Sequence, residues 1–294
     1  MSETLSYSIV IATYERPDAL RDALASVARQ TRRPERIVIV DSSVGDATCA
    51  IATQFPLPIS YERAPQPSAA RQRNQGSRHI ATPLLAFMDD DVVLAPDVFE
   101  KLCAVFEENP ATGGVAARMN GATHSPPRGA LWWYYRLQAG FPDDTYGARL
   151  FGPAINCFPC YERAESELMP ADWLNLGCVL FRTEAFQHEL FPNFEGYSHM
   201  EDVHLSARIG RTHRLFFHTT ARYDHFPRES PAKTNRRDLG QMRIRNQQTV
   251  AREVMGMSGL SLQWKMLLHR LFISLFLIRF RPAGWKGELA GIWD

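Results

Sequence analysis

"LLAFMDDDVVLAPD", residues 84–97, sets three consecutive acids at the end of an apolar run. Leu84, Leu85, Ala86, Phe87 and Met88 read as a buried strand, so Asp89, Asp90 and Asp91 fall where that strand leaves its sheet. At least one carboxylate there borders low-dielectric interior, and only a cation, hydrogen bonds or a raised pKa relieves the repulsion among like charges. Mg2+ is typically held by one or two protein carboxylates and takes phosphate oxygens for much of the rest. The turn therefore predicts a divalent metal and a diphosphate, against the plainer reading of a solvated turn after a strand.

The segments before it have the same form. "YSIVIATY" (7–14) is a continuous β-branched run, followed by Pro17 and Asp18 in a helical first turn and by Ala19, Leu20, Ala23, Leu24 and Val27 at helical spacing. "RIVIVDSS" (36–43) repeats the buried strand and ends on Asp41, with a short helix expected over 47–55. "PISYERAP" (58–65) reads as a third strand and "SAARQRNQGSRHI" (68–80) as a third helix. This alternation predicts a parallel sheet in an α/β layer fold. Ligands of such sheets bind beyond the carboxyl ends of the strands, which puts Thr13, Tyr14, Glu15 and Arg16, then Asp41, then Asp89 to Asp91 along one edge. The chain has neither a G-x-G-x-x-G after its first strand nor a P-loop, so dinucleotide oxidoreductases and P-loop enzymes lose their main support.

Composition narrows the partners. A chain of 294 residues, 45% hydrophobic, can bury a sizeable core, and a net charge of +1 argues against nucleic acid as partner. Charge is uneven, however. From Lys233 to Asp294 there are eleven Lys and Arg against four Asp and Glu, an excess of +7 that coincides with the most apolar stretch. Five cysteines, with "CFPC" (157–160) the one pattern among them, predict packed free thiols. No signal-peptide pattern opens the sequence, and a cytoplasmic location, peripheral on the cytoplasmic face of the membrane, is expected. Beyond about residue 115 the alternation fades into an aromatic, Pro- and Gly-punctuated excursion whose Trp132 to Tyr135 suit either stacking on sugars or plain packing.

Six signals in order, "SIVIATYERPDALRDALASVARQT", "RIVIVDSS", "AARQRNQG", "LAFMDDDV", "NLGCVLFR" and "HMEDVHLSARIGR", resemble glycosyltransferase family 2, inverting enzymes of GT-A fold. The resemblance spans residues 6 to about 226. It implies a Rossmann-like nucleotide-diphospho-sugar transferase: a mixed, mainly parallel sheet flanked by helices, with a catalytic domain over 1–230. The nucleotide-binding half would be 1–115 and the acceptor-binding half 116–230, followed by a C-terminal helical segment over 231–294. Carried over by position, Thr13, Tyr14, Glu15 and Arg16 would line the nucleotide, Asp41 would meet the uracil or thymine edge, and Arg71, Arg73 and Asn74 would close over it. Asp89 and Asp91 match the outer acids of the D-x-D motif, Asp89 near ribose or metal and Asp91 a direct ligand of Mg2+ or Mn2+, and Asp90 between them would join Asp89 in binding the nucleotide sugar. His225 falls where many members complete the metal site. Ser42 after Asp41 departs from the two acids that many members carry there.

"HMEDVHL" would supply the other half of the chemistry. Inverting transfer needs a general base for the acceptor hydroxyl; the resemblance assigns it to Asp202, beside Glu201, while Asn175 and Gly177 of "LNLGC" would face the acceptor. Glu201 and Asp202 also suit, more plainly, the first turn of a helix. In "LQWKMLLHRLFISLFLIRFRP" (262–282) the longest uncharged run, Leu271–Ile278, is eight residues, short of the roughly 20 a bilayer requires. Leu267, Leu271, Leu275 and Ile278 form one helical stripe, so a peripheral membrane contact through 262–281 is expected, with a core helix as the alternative. Three functions compete: transfer from a UDP- or dTDP-sugar to a glycan or lipid-linked acceptor, sugar-nucleotide synthesis by a nucleotidyltransferase, and a membrane-associated subunit without catalysis. "ATYERP" lacks the Gly-rich loop the second needs, and Asp89, Asp91 and Asp202 together speak against the third.

Overall fold

A computed structural model describes residues 4–140, 146–194, 199–227 and 235–294. The expected boundary at residue 230 lies outside the described residues. The first four strands are β1 (Tyr7–Thr13), β2 (Arg36–Asp41), β3 (Ile59–Arg63) and β4 (Leu84–Asp89). They pair in parallel in the order β3-β2-β1-β4. A short β5 (Val92–Leu94) leads into helix α4 (Val98–Glu108) and β6 (Thr112–Met119). The sheet is completed by β9 (Leu168–Pro170), β10 (Cys178–Arg182), which runs into the short helix α6 (Thr183–Gln187), and β11 (Arg214–His225), and β7 (Leu150–Phe151) and β8 (Ile155–Asn156) form a separate hairpin.

Antiparallel β10 sits between β4 and β6, and β6 and β11 run parallel to the first four strands. Six of the nine strands thus share one direction, giving the mixed, mainly parallel sheet flanked by helices that was expected. The two halves of the expected catalytic domain share this one sheet.

Strand alternation explains why both faces are covered. Ile9 and Ile11 of β1 pack with Leu20, Leu24 and Val27 of α1 (Pro17–Ala28) on one side of the sheet. Val10 packs with Val38, Val40, Leu85 and Phe87 on the other, under α3 (Ala69–Ser77). Gly76 lets α3 approach closely, since a Cβ there would come within 2.7 Å of Val10 Cγ1. Helix α2 (Ala47–Ala52) stops three residues before the expected end; Pro56 biases the preceding residue away from helix.

The strand register sets the site. Thr13 lies opposite Asp41, Ala12 opposite Asp89, and Met88 opposite Cys178, so the ends of four strands finish at one edge. On β11, His225 pairs with Val92, and Phe226 N donates to the Asp91 carbonyl at 2.8 Å. Residues over 130 apart in sequence are thereby brought to the three-acid turn.

The C-terminal helices α8 (Arg236–Glu253), α9 (Gly259–Phe280) and α10 (Trp285–Trp293) dock on the same core through Ile244, Val250, Leu262, Met266, Leu277 and Ile292. Helix α5 (Ala130–Ala139) carries the aromatic cluster as packing: Tyr134 stacks on Phe272 of α9 at 3.9 Å, and Tyr135 meets Tyr146 and Phe151. Trp133 remains exposed. All five cysteines are free, four of them buried.

Candidate active site

The three aspartates have three different surroundings. Asp90 is buried, accepting from Thr13 Oγ1 at 2.8 Å and from Arg16 Nη1 at 3.1 Å. Burial raises its pKa to about 6 against the pull of Arg16 and Thr13. It therefore ties the turn to the end of β1. Asp91 lies between Arg16, at 3.2 Å, and His225 Nε2, also at 3.2 Å. Asp89 is the most exposed of the three and accepts from Arg73 Nη2 at 2.7 Å.

Arg73 joins the two halves of the cleft. Its second terminal nitrogen, Nη1, donates to Glu201 at the start of α7 (Glu201–Ile209), and its guanidinium lies over the Phe191 ring. Burial alone would lower the Arg73 pKa, but Glu201 and Asp89 outweigh it and raise it, so the cation persists. Glu201 is buried against that cation, and both it and the less buried Asp202 line the cleft. Burial raises the Asp202 pKa to about 6, with a backbone bond from Val203 and the charge of Arg73 opposing. The two positive-φ residues at the site, Glu15 (53°) and Met200 (68°), stand where β1 leaves the sheet and where α7 begins. Left-handed backbone at a non-glycine residue stores about 1–3 kcal/mol and clusters at functional sites.

A cleft of about 240 Å3 brings Arg73, Asp89, Asn175, Gly177, Glu201, Asp202 and His225 together. Met119, Phe158, Leu176, His199, Met200 and Tyr223 complete it, and were given no site role in the sequence reading. Tyr223 had a usable signal: two positions before His225, strand alternation puts it on the same face. Its hydroxyl receives Asn175 Nδ2 at 2.5 Å, and a Cβ on Gly177 would overlap that hydroxyl. Gly177 is thus required for the close approach of β11.

The remaining predicted residues lie along the neighbouring strand ends. Asp41 is fully buried, its carboxylate receiving Ser43 N at 2.7 Å, Ser43 Oγ at 2.5 Å and Tyr61 Oη at 2.5 Å. Glu15 accepts from Val44 N at 2.7 Å, and Tyr14 is half-buried between Thr13 and Glu15. Asn74 exchanges two hydrogen bonds with the Phe191 backbone, and Arg71 Nε donates to Asn193 at 2.6 Å. These two pin α3 to the 191–193 segment. Gln72, also unread in sequence, donates to the carbonyls of Thr13 and Val40 and fixes the ends of β1 and β2.

The donor set fits a divalent cation only in part. A carboxylate and an imidazole nitrogen face one another at Asp91 and His225. Among the described residues no group of three or more His, Cys, Asp and Glu is disposed as a metal cage. Such a site suits a hard cation that draws its other oxygens from a bound diphosphate and water.

Comparison with known proteins agrees with this architecture. The glycosyl transferase family 2 model matches residues 8–160. An uncharacterized glycosyltransferase of Haemophilus influenzae is 31% identical over 112 residues, 36% of this chain and 42% of that protein. Validoxylamine A glucosyltransferase of Streptomyces hygroscopicus subsp. limoneus is 32% identical over 103 residues, 33% of this chain and 23% of that protein. The matched segments thus span less than half of these relatives. Among solved structures, a mannosyltransferase from Pyrobaculum calidifontis in complex with GDP-Man and Mn2+ superposes with a TM-score of 0.60 at 15% identity, over 99% of this chain and 74% of that one. S. aureus TarS 1-349 in complex with UDP-GlcNAc gives 0.55 at 15% identity, over 96% and 75%.

Proposed function

We propose a specific reaction for this chain, which belongs to glycosyl transferase family 2 and is a glycosyltransferase: inverting transfer of a sugar from a nucleoside-diphosphate sugar to a hydroxyl of a glycan or lipid-linked acceptor. The observation that carries it is the Arg73 bridge, which sets Asp89 of the three-acid turn and Glu201 of the α7 terminus on opposite sides of one guanidinium. Donor and acceptor chemistry meet there. Asp202 takes the proton of the acceptor hydroxyl as its oxygen attacks the anomeric carbon, and the bond from that carbon to the diphosphate breaks on the opposite face. Glu201 is a positioning residue that holds α7 on Arg73. Asn175, oriented by Tyr223, faces the acceptor with Gly177.

Asp91 and His225 would hold Mg2+ or Mn2+, with Asp89 close to ribose or metal. When bound, the cation neutralises charge developing on the departing diphosphate. Arg16 and Thr13 keep the turn in shape through Asp90. Asp41 acts on the base pocket by fixing Ser43 and Tyr61, while Tyr14, Glu15, Arg71 and Asn74 border the nucleotide. The neighbours carry UDP-GlcNAc and GDP-Man, so the donor test spans UDP-, dTDP- and GDP-sugars. Thermal unfolding of the purified chain should shift upward with at least one of them in Mn2+, since ligand at about 100 times Kd adds about 2.7 kcal/mol. Asp91→Asn should lose that shift while melting like the parent without ligand. No shift with any sugar nucleotide at saturating concentration would refute the reading.

A further inference from the structure

Helix α9 has two apolar faces: the inner one is covered up to the last turn, where Phe276 and Phe280 are exposed, and the outer one is uncovered along its length. At about 100° per residue, Leu262, Met266, His269, Ile273 and Leu277 fall within one arc of roughly 80°, and they pack on the core of the catalytic sheet or are buried beside it. Leu260, Trp264, Leu267, Leu271, Leu275 and Ile278 fall within a second arc of roughly 80° on the opposite side, and each is exposed by 40% or more. A contiguous apolar strip of this kind marks an interaction surface.

Charge identifies what covers it. The helix holds Lys265, Arg270 and Arg279 and no acidic residue, and exposed Arg281 and Lys286 follow. Arg270 and Arg279 lie to either side of the strip, with Trp264 inside it toward the N-terminal end of the helix. An apolar stripe that includes an exposed tryptophan, flanked by cations, is the complement of an anionic lipid surface. A second copy of the chain is a poor occupant: antiparallel pairing sets Arg270 against Arg279 and Arg281, and parallel pairing sets each flanking cation against its own kind, while Lys265 is turned inward to the Gln138 carbonyl. Spanning is the other alternative, because α9, at 22 residues, is long and apolar enough to cross a bilayer. Insertion would strip Leu262, Met266 and Leu277 from the core that they share with the catalytic sheet.

We infer that the outer stripe of α9 docks the enzyme flat on an anionic membrane, inserted to the acyl boundary and held by Arg279 and Arg281. The inference rests on the transferase reading for its purpose, reach to a membrane-borne acceptor, but not for the surface itself. Flotation of the full chain with vesicles of equal phosphatidylglycerol and phosphatidylcholine, against phosphatidylcholine alone, tests it. Binding should require the anionic lipid and weaken as salt rises from about 0.1 M to about 1 M, where the screening length falls from about 10 Å to about 3 Å. Arg279→Gln with Arg281→Gln should weaken it by about fivefold per charge. Leu271→Ser with Leu275→Ser should abolish it without lowering the melting temperature, because both side chains are already exposed. The inference fails if the parent does not float with anionic vesicles, if the serine variant floats as the parent does, if bound protein resists alkaline carbonate as a spanning chain would, or if light scattering shows a dimer that the serine variant dissociates. Flotation without any nucleotide-sugar shift would instead sink the transferase reading and leave the docking surface standing.

Discussion

Asp202 makes the sharpest claim at the scale of single residues. A general base must be ionised, and burial lifts this carboxyl to about 6, so its active form predominates above that value and is lost as pH falls through it. The kcat/KM profile should therefore decline toward acid with an apparent pKa near 6; a flat profile from pH 5 to pH 8 would assign the proton to another group. Asp202→Asn should retain donor-induced thermal stabilisation and lose about 10²–10⁴ in kcat, a split that distinguishes a base from a residue that merely shapes the cleft. Gly177→Ala tests the opposite kind of role. Its new methyl meets the Tyr223 hydroxyl, and overpacking of this kind costs about 1–3 kcal/mol, which a lowered melting temperature and a displaced Asn175 would report.

Between elements, Arg73 connects α3, β4 and α7 through one guanidinium. Removing the cation from a buried pair typically costs about 3–5 kcal/mol because the partner charge is stranded; partial exposure of Asp89 trims this. Arg73→Met should destabilise accordingly, and adding Glu201→Gln should recover part of the loss, since the stranded charge disappears. Strict additivity in chemical denaturation would show that the bridge is not one unit. The residues that make this bridge were legible before the fold, but the bridge was not. Each of "AARQRNQG", "MDDDV" and "MEDVHL" shows its residue types and local element, because apolar runs and helical spacing are local signals. The 128 residues that separate Arg73 from Glu201 carry no such signal. The same holds for β10, whose antiparallel insertion between β4 and β6 depends on cross-strand register, and for Gln72, a polar helical residue whose partners are two distant carbonyls. Trp132 to Tyr135 were ambiguous for a related reason: an aromatic is apolar whether it meets Phe272 or a sugar.

For the whole molecule, the sheet, the site and the tail form one packed body, because Leu262, Met266 and Ile292 share a core with Val10 and Phe87. The C-terminal helices therefore contribute to the stability of the catalytic sheet as well as presenting a surface. Met266→Ala removes a side chain that is 5% exposed, and large-to-small changes of this type cost about 2–5 kcal/mol. Leu271→Ala, on the outer arc of the same helix at 44% exposure, should change stability by less than about 0.5 kcal/mol, as surface substitutions usually do. The contrast isolates the two faces of α9 in one experiment: urea unfolding should show a lower midpoint for the inner substitution alone. Because the inner face belongs to the core of the β1–β4 layer, Met266→Ala should lower the midpoint monitored through nucleotide binding together with that monitored by far-ultraviolet circular dichroism. Separate transitions for the two signals would mean that the tail unfolds independently of the sheet, and that α9 is a tether rather than part of the catalytic body.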